Sequence, residues 1–416
     1  MNLAILSLVI FVITVLIGII CKVNCGLVGV ISSFLLVLFF AGDMKLSDVY
    51  NQGWPVSTFF MMFSVLFLFG IAGANGTMEL AAKRLVRLLG GRTRLLPFFI
   101  YLLSLVLSGS GAGPGIAPMI MVIAMGICRE TGLSCFMMGI IVEIGTASGG
   151  LSPIATSGII ARDLLRQAGV SGYLCLLLPY LLAMFFEVLA LYFLFGGHKA
   201  PDVKSESLME KPQKMNRYQK ETLLVILVVI GGIIFARLDV SMTALSGAAL
   251  LLLLGVMEDK KAISTVNWNT LLLVAGMYML ITVVNHCGGI ALISDLLTDF
   301  ITPKTGTGIM TLLSGLLATV TSSSGVVMPT LIPVSASIAE NLSGVSAGAL
   351  AAGVLAGANC ALFCPFSVLG SMTMALYPDH TDRQMIFKRH LQMTIASIAF
   401  FTLLGFGGFF DLFVSK

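Results

Sequence analysis

Charge is what this 416-residue chain has least of: Asp, Glu, Lys and Arg make up 11% of it, against 57% apolar residues. Soluble domains carry about a quarter charged residues. A water-soluble globule is therefore excluded, and the mean hydropathy of +1.02 places the chain in a lipid bilayer. Histidine (4) and tryptophan (2) are also scarce. No Ser/His/Asp set, HExxH or carboxylate pair falls inside an apolar segment, which speaks against a membrane-embedded enzyme. The eight cysteines show no metal-ligand spacing and read as small apolar residues. Leu3–Cys21 is uncharged and long enough to cross a hydrocarbon core. With no basic n-region and no cleavage site, it reads as a retained span rather than a signal peptide.

What is present is a series of apolar segments that runs to residue 195, stops at a polar stretch (196–220) and starts again. The expected organisation is a first repeat over 1–195, a cytoplasmic linker over 196–220 and a second repeat over 221–416. Trp54 and Trp268 each precede the third segment of their half. Gly145, Pro153 and Gly158 map onto Gly357, Pro365 and Gly370 at one offset, 357 − 145 = 212. The fourth segment of each half, 97–127 and 309–339, is interrupted by SGSGAGPGIAP (108–118) and TSSSGVVMP (321–329). The flanks are too short to cross alone. Two readings are open, a re-entrant hairpin and a full span with a kink. Because both halves share the pattern, the hairpin is preferred. Five spans per half then remain, and an odd number inverts the second half. The expected fold is an all-α polytopic membrane protein, an inverted repeat with about ten spans and two hairpins. Eighteen of the 24 Lys and Arg fall on one face of this layout, which the positive-inside rule makes cytoplasmic. Both termini are then outside, in an inner (cytoplasmic) membrane.

Irregular backbone at membrane depth survives only where it lines a cavity, and paired breaks in corresponding positions point to a transporter's binding site. The sequence predicts that glycines and proline unwind GTASGGLSPIATSG (145–158) and GANCALFCPFSVLG (357–370). Half-helix N-termini suit an anion, whereas carbonyls and hydroxyls suit a small hard cation. The candidate anion ligands are Ser108, Gly109, Ser110, Gly111, Ser152, Pro153, Thr321, Ser322, Ser323, Asn359 and Pro365. The candidate cation ligands are Ser110, Thr146, Ser148, Gly149, Ser324, Asn359 and Cys360. Glu143 and His286 are candidate coupling residues; the alternatives are a hydrogen-bonded Glu facing a vestibule and a polar helix end. Glu187 reads as structurally paired, or as a site of snorkelling by this or a neighbouring side chain. Lys83, Arg84, Arg87, Arg92 and Arg94 form a basic amphipathic stretch that fits anionic lipid, not nucleic acid.

ANGTMELAAKRLVRLLGGRTRLLPFFI, the tip SGSGAGPGIAP and MMGIIVEIGTASGGLSPI together resemble the MatC malonate/dicarboxylate carriers. These belong to the ion-transporter superfamily, alongside the divalent anion:sodium symporters (DASS). The resemblance implies an elevator-type homodimer that carries small dicarboxylates, commonly with Na+ as coupling ion. It departs at the tips, which read Ser108-Gly109-Ser110 and Thr321-Ser322-Ser323 where those symporters have Ser-Asn-Thr. The expected function is sodium-coupled symport of C3–C4 dianions such as malonate or succinate. Proton-coupled symport and anion exchange are alternatives; a sodium/proton antiporter would need acidic residues that the breaks lack.

Overall fold

The computed structural model describes residues 3–21, 23–41, 43–78, 80, 93–200, 214–236, 238–319, 321–374, 376–377, 383–412 and 414. Lys83, Arg84, Arg87 and Arg92, and most of the polar linker, lie outside the described residues. The described residues form helices and turns, with no strand among them. In the first half the helices are α1 (Leu3–Cys21), α2 (Cys25–Phe39), α3 (Leu46–Gly53), α4 (Val56–Ala74), α5 (Leu96–Leu107), α6 (Ala117–Thr131), α7 (Cys135–Gly150), α8 (Thr156–Gln167) and α9 (Tyr173–Leu194). The second half has α10 (Arg217–Phe235), α11 (Val240–Leu253), α12 (Asp259–Ser264), α13 (Trp268–His286), α14 (Gly289–Thr298), α15 (Gly306–Ala318), α16 (Met328–Asn341), α17 (Ala347–Cys360), α18 (Val368–Met374) and α19 (Arg383–Phe406).

The spacing of these elements is regular. α7 starts at 135 and α17 at 347; α8 starts at 156 and α18 at 368, which is 212 in both cases. Among the described residues, four helices are long and apolar enough to cross a membrane by length and composition: Val56–Ala74, Thr93–Gly111, Tyr173–Leu194 and Trp268–His286. Other apolar helices run 10–17 residues, because several are half-helices that end at a break.

The periphery is apolar. Ile20, Phe39, Leu194, Phe235 and Leu253 are largely exposed, an arrangement that lipid accepts as readily as the interior. At the centre, α7 is buried from Phe136 to Gly150 and α17 from Gly348 to Cys360. Lipid tails are as apolar as leucine, so close packing has to hold the helices together, and small residues supply it. α2 crosses α13 with almost no gap: a Cβ on Gly276 would lie 1.9 Å from the Gly26 carbonyl oxygen, and one on Gly26 would lie 2.2 Å from that of Leu272. In the other half α11 packs on α4, with Gly247 against Val229, Val225 and Leu68. Each half therefore lays its second helix against the other half's fourth.

This crossing predicts a contrast between two glycines. Gly276→Ala forces two backbones apart and is expected to cost about 1–3 kcal/mol, the usual penalty of overpacking. Gly231→Ala in α10 meets nothing within 4 Å and is expected to be neutral or slightly stabilising, since alanine is the better helix former. Melting of the two purified variants compares them directly; equal melting temperatures would contradict the close crossing.

Candidate functional site

α5 ends where Ser108–Ala112 form one wide π turn, followed by a tight turn over Gly113–Ile116, before α6 starts with Ala117-Pro118. Gly111, at φ 114°, allows this reversal; a Cβ there would be strained and would lie 2.7 Å from the Phe69 ring. The second interruption is built alike. Ser322 caps a π turn over Ser323–Val327, its Oγ accepting from the Gly325 amide at 3.1 Å, and α16 starts with Met328-Pro329.

Each tip leans on the end of a central helix. Ser108 Oγ donates to the Thr146 carbonyl at 2.9 Å. A Cβ on Gly109 would lie 3.4 Å from the Gly149 carbonyl oxygen and from Ser152 Cβ. In the second half Ser323 Oγ donates to Asn359 Oδ1 at 3.5 Å, and Asn359 Nδ2 donates to the Leu355 carbonyl at 2.8 Å. The half-helix α8 connects the two places, packing on α16, α17 and the second tip. Thr156, the first residue of α8, is 5% exposed and its Oγ1 has no hydrogen-bond partner among the described residues. It lies beside the first tip, 3.9 Å from where a Cβ on Gly113 would sit.

The breaks are shorter than the sequence suggests. α7 continues through Gly145 to Gly150, so the irregular backbone is Leu151–Ala155, around Pro153. α17 continues through Gly357 to Cys360, and the second break is Ala361–Ser367, around Pro365. Gly145 does not unwind its helix but admits a neighbour: its Cβ would lie 2.6 Å from the Tyr101 carbonyl oxygen of α5. Gly149 and Gly357 do likewise, against the Leu105 and Thr311 carbonyl oxygens at 2.2 and 2.1 Å. Gly158 and Gly370 clear the folded-back backbone, with a Cβ at 1.9 Å from the Ser152 and 2.3 Å from the Cys364 carbonyl oxygen.

Several candidate ligands are held by local bonds. Thr146 Oγ1 and Ser148 Oγ each donate at 2.7 Å to a carbonyl one turn back, of Val142 and Ile144. Ser110 Oγ donates to the Leu107 carbonyl at 2.8 Å, and Thr321 Oγ1 to that of Leu317 at 2.7 Å. Cys360 Sγ donates to the Gly357 carbonyl at 3.2 Å. Ser324 and Ser152 are half-buried at the second tip and the first break. Thr321 and Ser322 also line a cavity of about 160 Å³, with Asn24, Cys25, Asn269 and Leu273 opposite.

The two candidate coupling residues lie elsewhere. His286 Nε2 pairs with Asp43 Oδ2 at 3.1 Å on an exposed helix end. Glu143 is fully buried, but it points towards α18 and α19, bonded to Thr373; Gly145, two residues on and about 200° round the helix, faces α5. Sequence reasoning missed Asp163 of α8, whose Oδ2 accepts from Thr58 Oγ1 of α4 at 2.7 Å and Gln167 Nε2 at 2.9 Å. An Arg162-Asp163 pair inside an apolar segment was the available signal.

Comparison with known proteins completes the description. A curated relative, the arsenical pump membrane protein of Yersinia enterocolitica, is 24% identical over 280 residues, covering 64% of this chain and 63% of its own. The chain thus spans less than two thirds of that relative's length. An arsenical pump membrane protein of Escherichia coli is 24% identical over 311 residues, 70% of this chain and 71% of its own. Among solved structures, the Alcanivorax borkumensis YdaH transporter, described as having an unusual topology, superposes with a TM-score of 0.63 over 91% of both chains at 13% identity. That likeness establishes the fold alone. Residues 1–357 match the family of citrate transporters named CitMHS, and by that match the chain belongs to this family of secondary transporters.

Proposed function

We propose that the chain is a sodium-coupled carrier of small organic dianions, of the C3–C4 size of malonate or succinate, which uses the two tips and the two breaks as one site. The observation that carries this reading is Thr156: a buried hydroxyl without a partner, at the positive N-terminal end of α8, facing the first tip. A buried polar group left unpaired is costly, and an incoming carboxylate oxygen would relieve that cost where backbone amides also point. Ser152 and the first-tip residues Ser108–Gly111 would contribute to the anion side, and Thr321–Ser323, Asn359 and Pro365 would frame it from the second half. Carbonyls freed at the ends of α7 and α17, with the hydroxyls of Ser110 and Ser324, supply the hard oxygen donors that Na+ takes. The 212-residue spacing of α7–α8 and α17–α18 supports an inverted repeat with two re-entrant hairpins, and an elevator-type homodimer in the inner membrane follows from the resemblance to dicarboxylate carriers.

A second reading has one specific observation in its favour. The two curated relatives named above are arsenical pump membrane proteins, and Cys360 and Cys364 are buried at the second break. Thiols are the ligands that a soft, thiol-seeking species prefers.

Uptake of radiolabelled malonate, succinate and citrate into proteoliposomes tests the first reading, with an inward sodium gradient and then a proton gradient alone. Sodium-dependent uptake that falls about tenfold in Ser110→Ala or Thr321→Ala, the size of one charge-assisted hydrogen bond, is expected. No uptake of any of the three acids under either gradient would overturn it, and arsenite efflux abolished by Cys360→Ser would favour the second. Thr156→Val offers a separate check. It removes no existing hydrogen bond, so stability is expected to stay within about 0.5 kcal/mol while uptake drops. Full uptake in this variant would take Thr156 out of the site.

A further inference from the structure

The second break is held by a buried group that neither the family nor the tips account for. Glu143 of α7, Thr373 of α18, Tyr377 just beyond α18 and His390 of α19 meet in one place, and none of the four is more than 2% exposed. His390 Nδ1 lies 3.0 Å from the Phe363 carbonyl, inside the break. A carbonyl can only accept, so Nδ1 carries the proton. His390 Nε2 lies 3.2 Å from the Tyr377 hydroxyl, which in turn is 3.5 Å from the Phe136 carbonyl. Thr373 Oγ1 donates to Glu143 Oε1. Glu143 Oε2 has no hydrogen-bond partner among the described residues and stands 3.9 Å from His390 Nδ1.

We propose that Glu143 and His390 form a proton-binding pair that holds the second break closed while it carries a proton and lets it open when the proton leaves. The hydrogen bonds suit either location of that proton. With a neutral ring, Tyr377 donates to Nε2 and Glu143 is a carboxylic acid. With a charged ring, Nε2–H donates to Tyr377, whose hydroxyl turns to the Phe136 carbonyl, and the Glu143 carboxylate balances the charge. Once the proton returns to water, a carboxylate with one hydrogen bond remains in a dry site, a state that costs far more than the closed contact returns. The Phe363 carbonyl, which accepts from His390 Nδ1, ties the break to the pair.

Among the described residues, few other titratable groups face the pair. Cys128 of α6 and Cys135 at the start of α7 approach Tyr377. Lys388 and Arg389 on α19 are exposed, and Arg389 lies 5.9 Å from the centre of the Phe136 ring. Glu187 and Tyr180 of α9, Tyr101 of α5 and Cys360 form a separate group. The proposal rests on the carrier reading in one respect, that the second break is a working part.

The test needs no cargo. Full-length protein with Cys364 as its single cysteine, reconstituted in liposomes, is labelled with N-ethylmaleimide at several pH values, with and without Glu143→Gln. The ratio of the two rates cancels the thiol's own ionisation. Glutamine imitates the protonated acid, so the ratio is expected to be near one in acid and to rise about tenfold by about pH 9, above the ordinary range of both groups. Tyr377→Phe is expected to move the midpoint, because the charged ring loses its acceptor. A ratio that stays flat from acid to alkali would overturn the proposal. Should Glu143→Gln fold poorly, Glu143→Met, also uncharged at every pH, serves in its place. Infrared spectra of the otherwise native chain give an independent reading: a titrating carboxylic acid band lost in Glu143→Gln, or a titrating imidazolium band lost in His390→Gln, supports the pair, and the absence of both bands at every pH overturns it. The uptake assays can fail while these results stand, and the reverse.

Discussion

Hydrocarbon offers no hydrogen bonds, and every irregular stretch of this chain has to answer to that. Wherever a helix stops inside the molecule, side chains from elsewhere reach the carbonyls it leaves behind. The Tyr173 hydroxyl donates to the Leu151 carbonyl at the end of α7 at 2.5 Å. At the second break Ser367 Oγ donates to the Leu362 carbonyl, also at 2.5 Å, and His390 Nδ1 donates to that of Phe363. Ser108 holds the first tip to Thr146 in the same way, and Cys364 Sγ bonds the Thr319 carbonyl at 3.5 Å. The breaks are local departures from helix whose exposed groups are taken up one at a time. Thr156 Oγ1 and Glu143 Oε2 are among the buried oxygens left without a partner in the described residues.

The same constraint explains the use of glycine. With no hydrophobic drive between helices in lipid, association depends on close approach. Gly145 and Gly149 let α5 lie against α7, while Gly353 and Gly357 let α15 lie against α17, the Cβ of Gly353 falling 2.6 Å from the Thr307 carbonyl oxygen. α5 and α15 are thereby pinned along the central helices, and the tips arrive beside the breaks.

Much of this was legible in the sequence because it rests on local chemistry. The two tips start and stop near where Gly, Ser and Pro place them, α6 and α16 opening with Ala117-Pro118 and Met328-Pro329. The mapped pair Pro153 and Pro365 marks the breaks. The glycines were harder to read, since one residue type serves both to free a backbone and to admit a neighbour; Gly145 and Gly357 do the second. Long-range pairing was not legible at all. Glu143 and His390 are 247 positions apart in the chain, and an apolar Leu355 at the repeat position of Glu143 hid the fact that its partners come from α18 and α19. His286 pairs with Asp43, 243 positions away in the chain, at an exposed helix end.

The exchange of helices between halves, α2 on α13 and α11 on α4, has an evolutionary consequence. The two halves are not separable: each presents a close-packed helix face that the other fills. A change at Gly26 has to be matched at Gly276, so the two ends of one gene are bound to drift together. A gene split between the halves would still have to deliver both products to the same membrane, because each fragment would leave the face of its second helix without the partner that the other supplies.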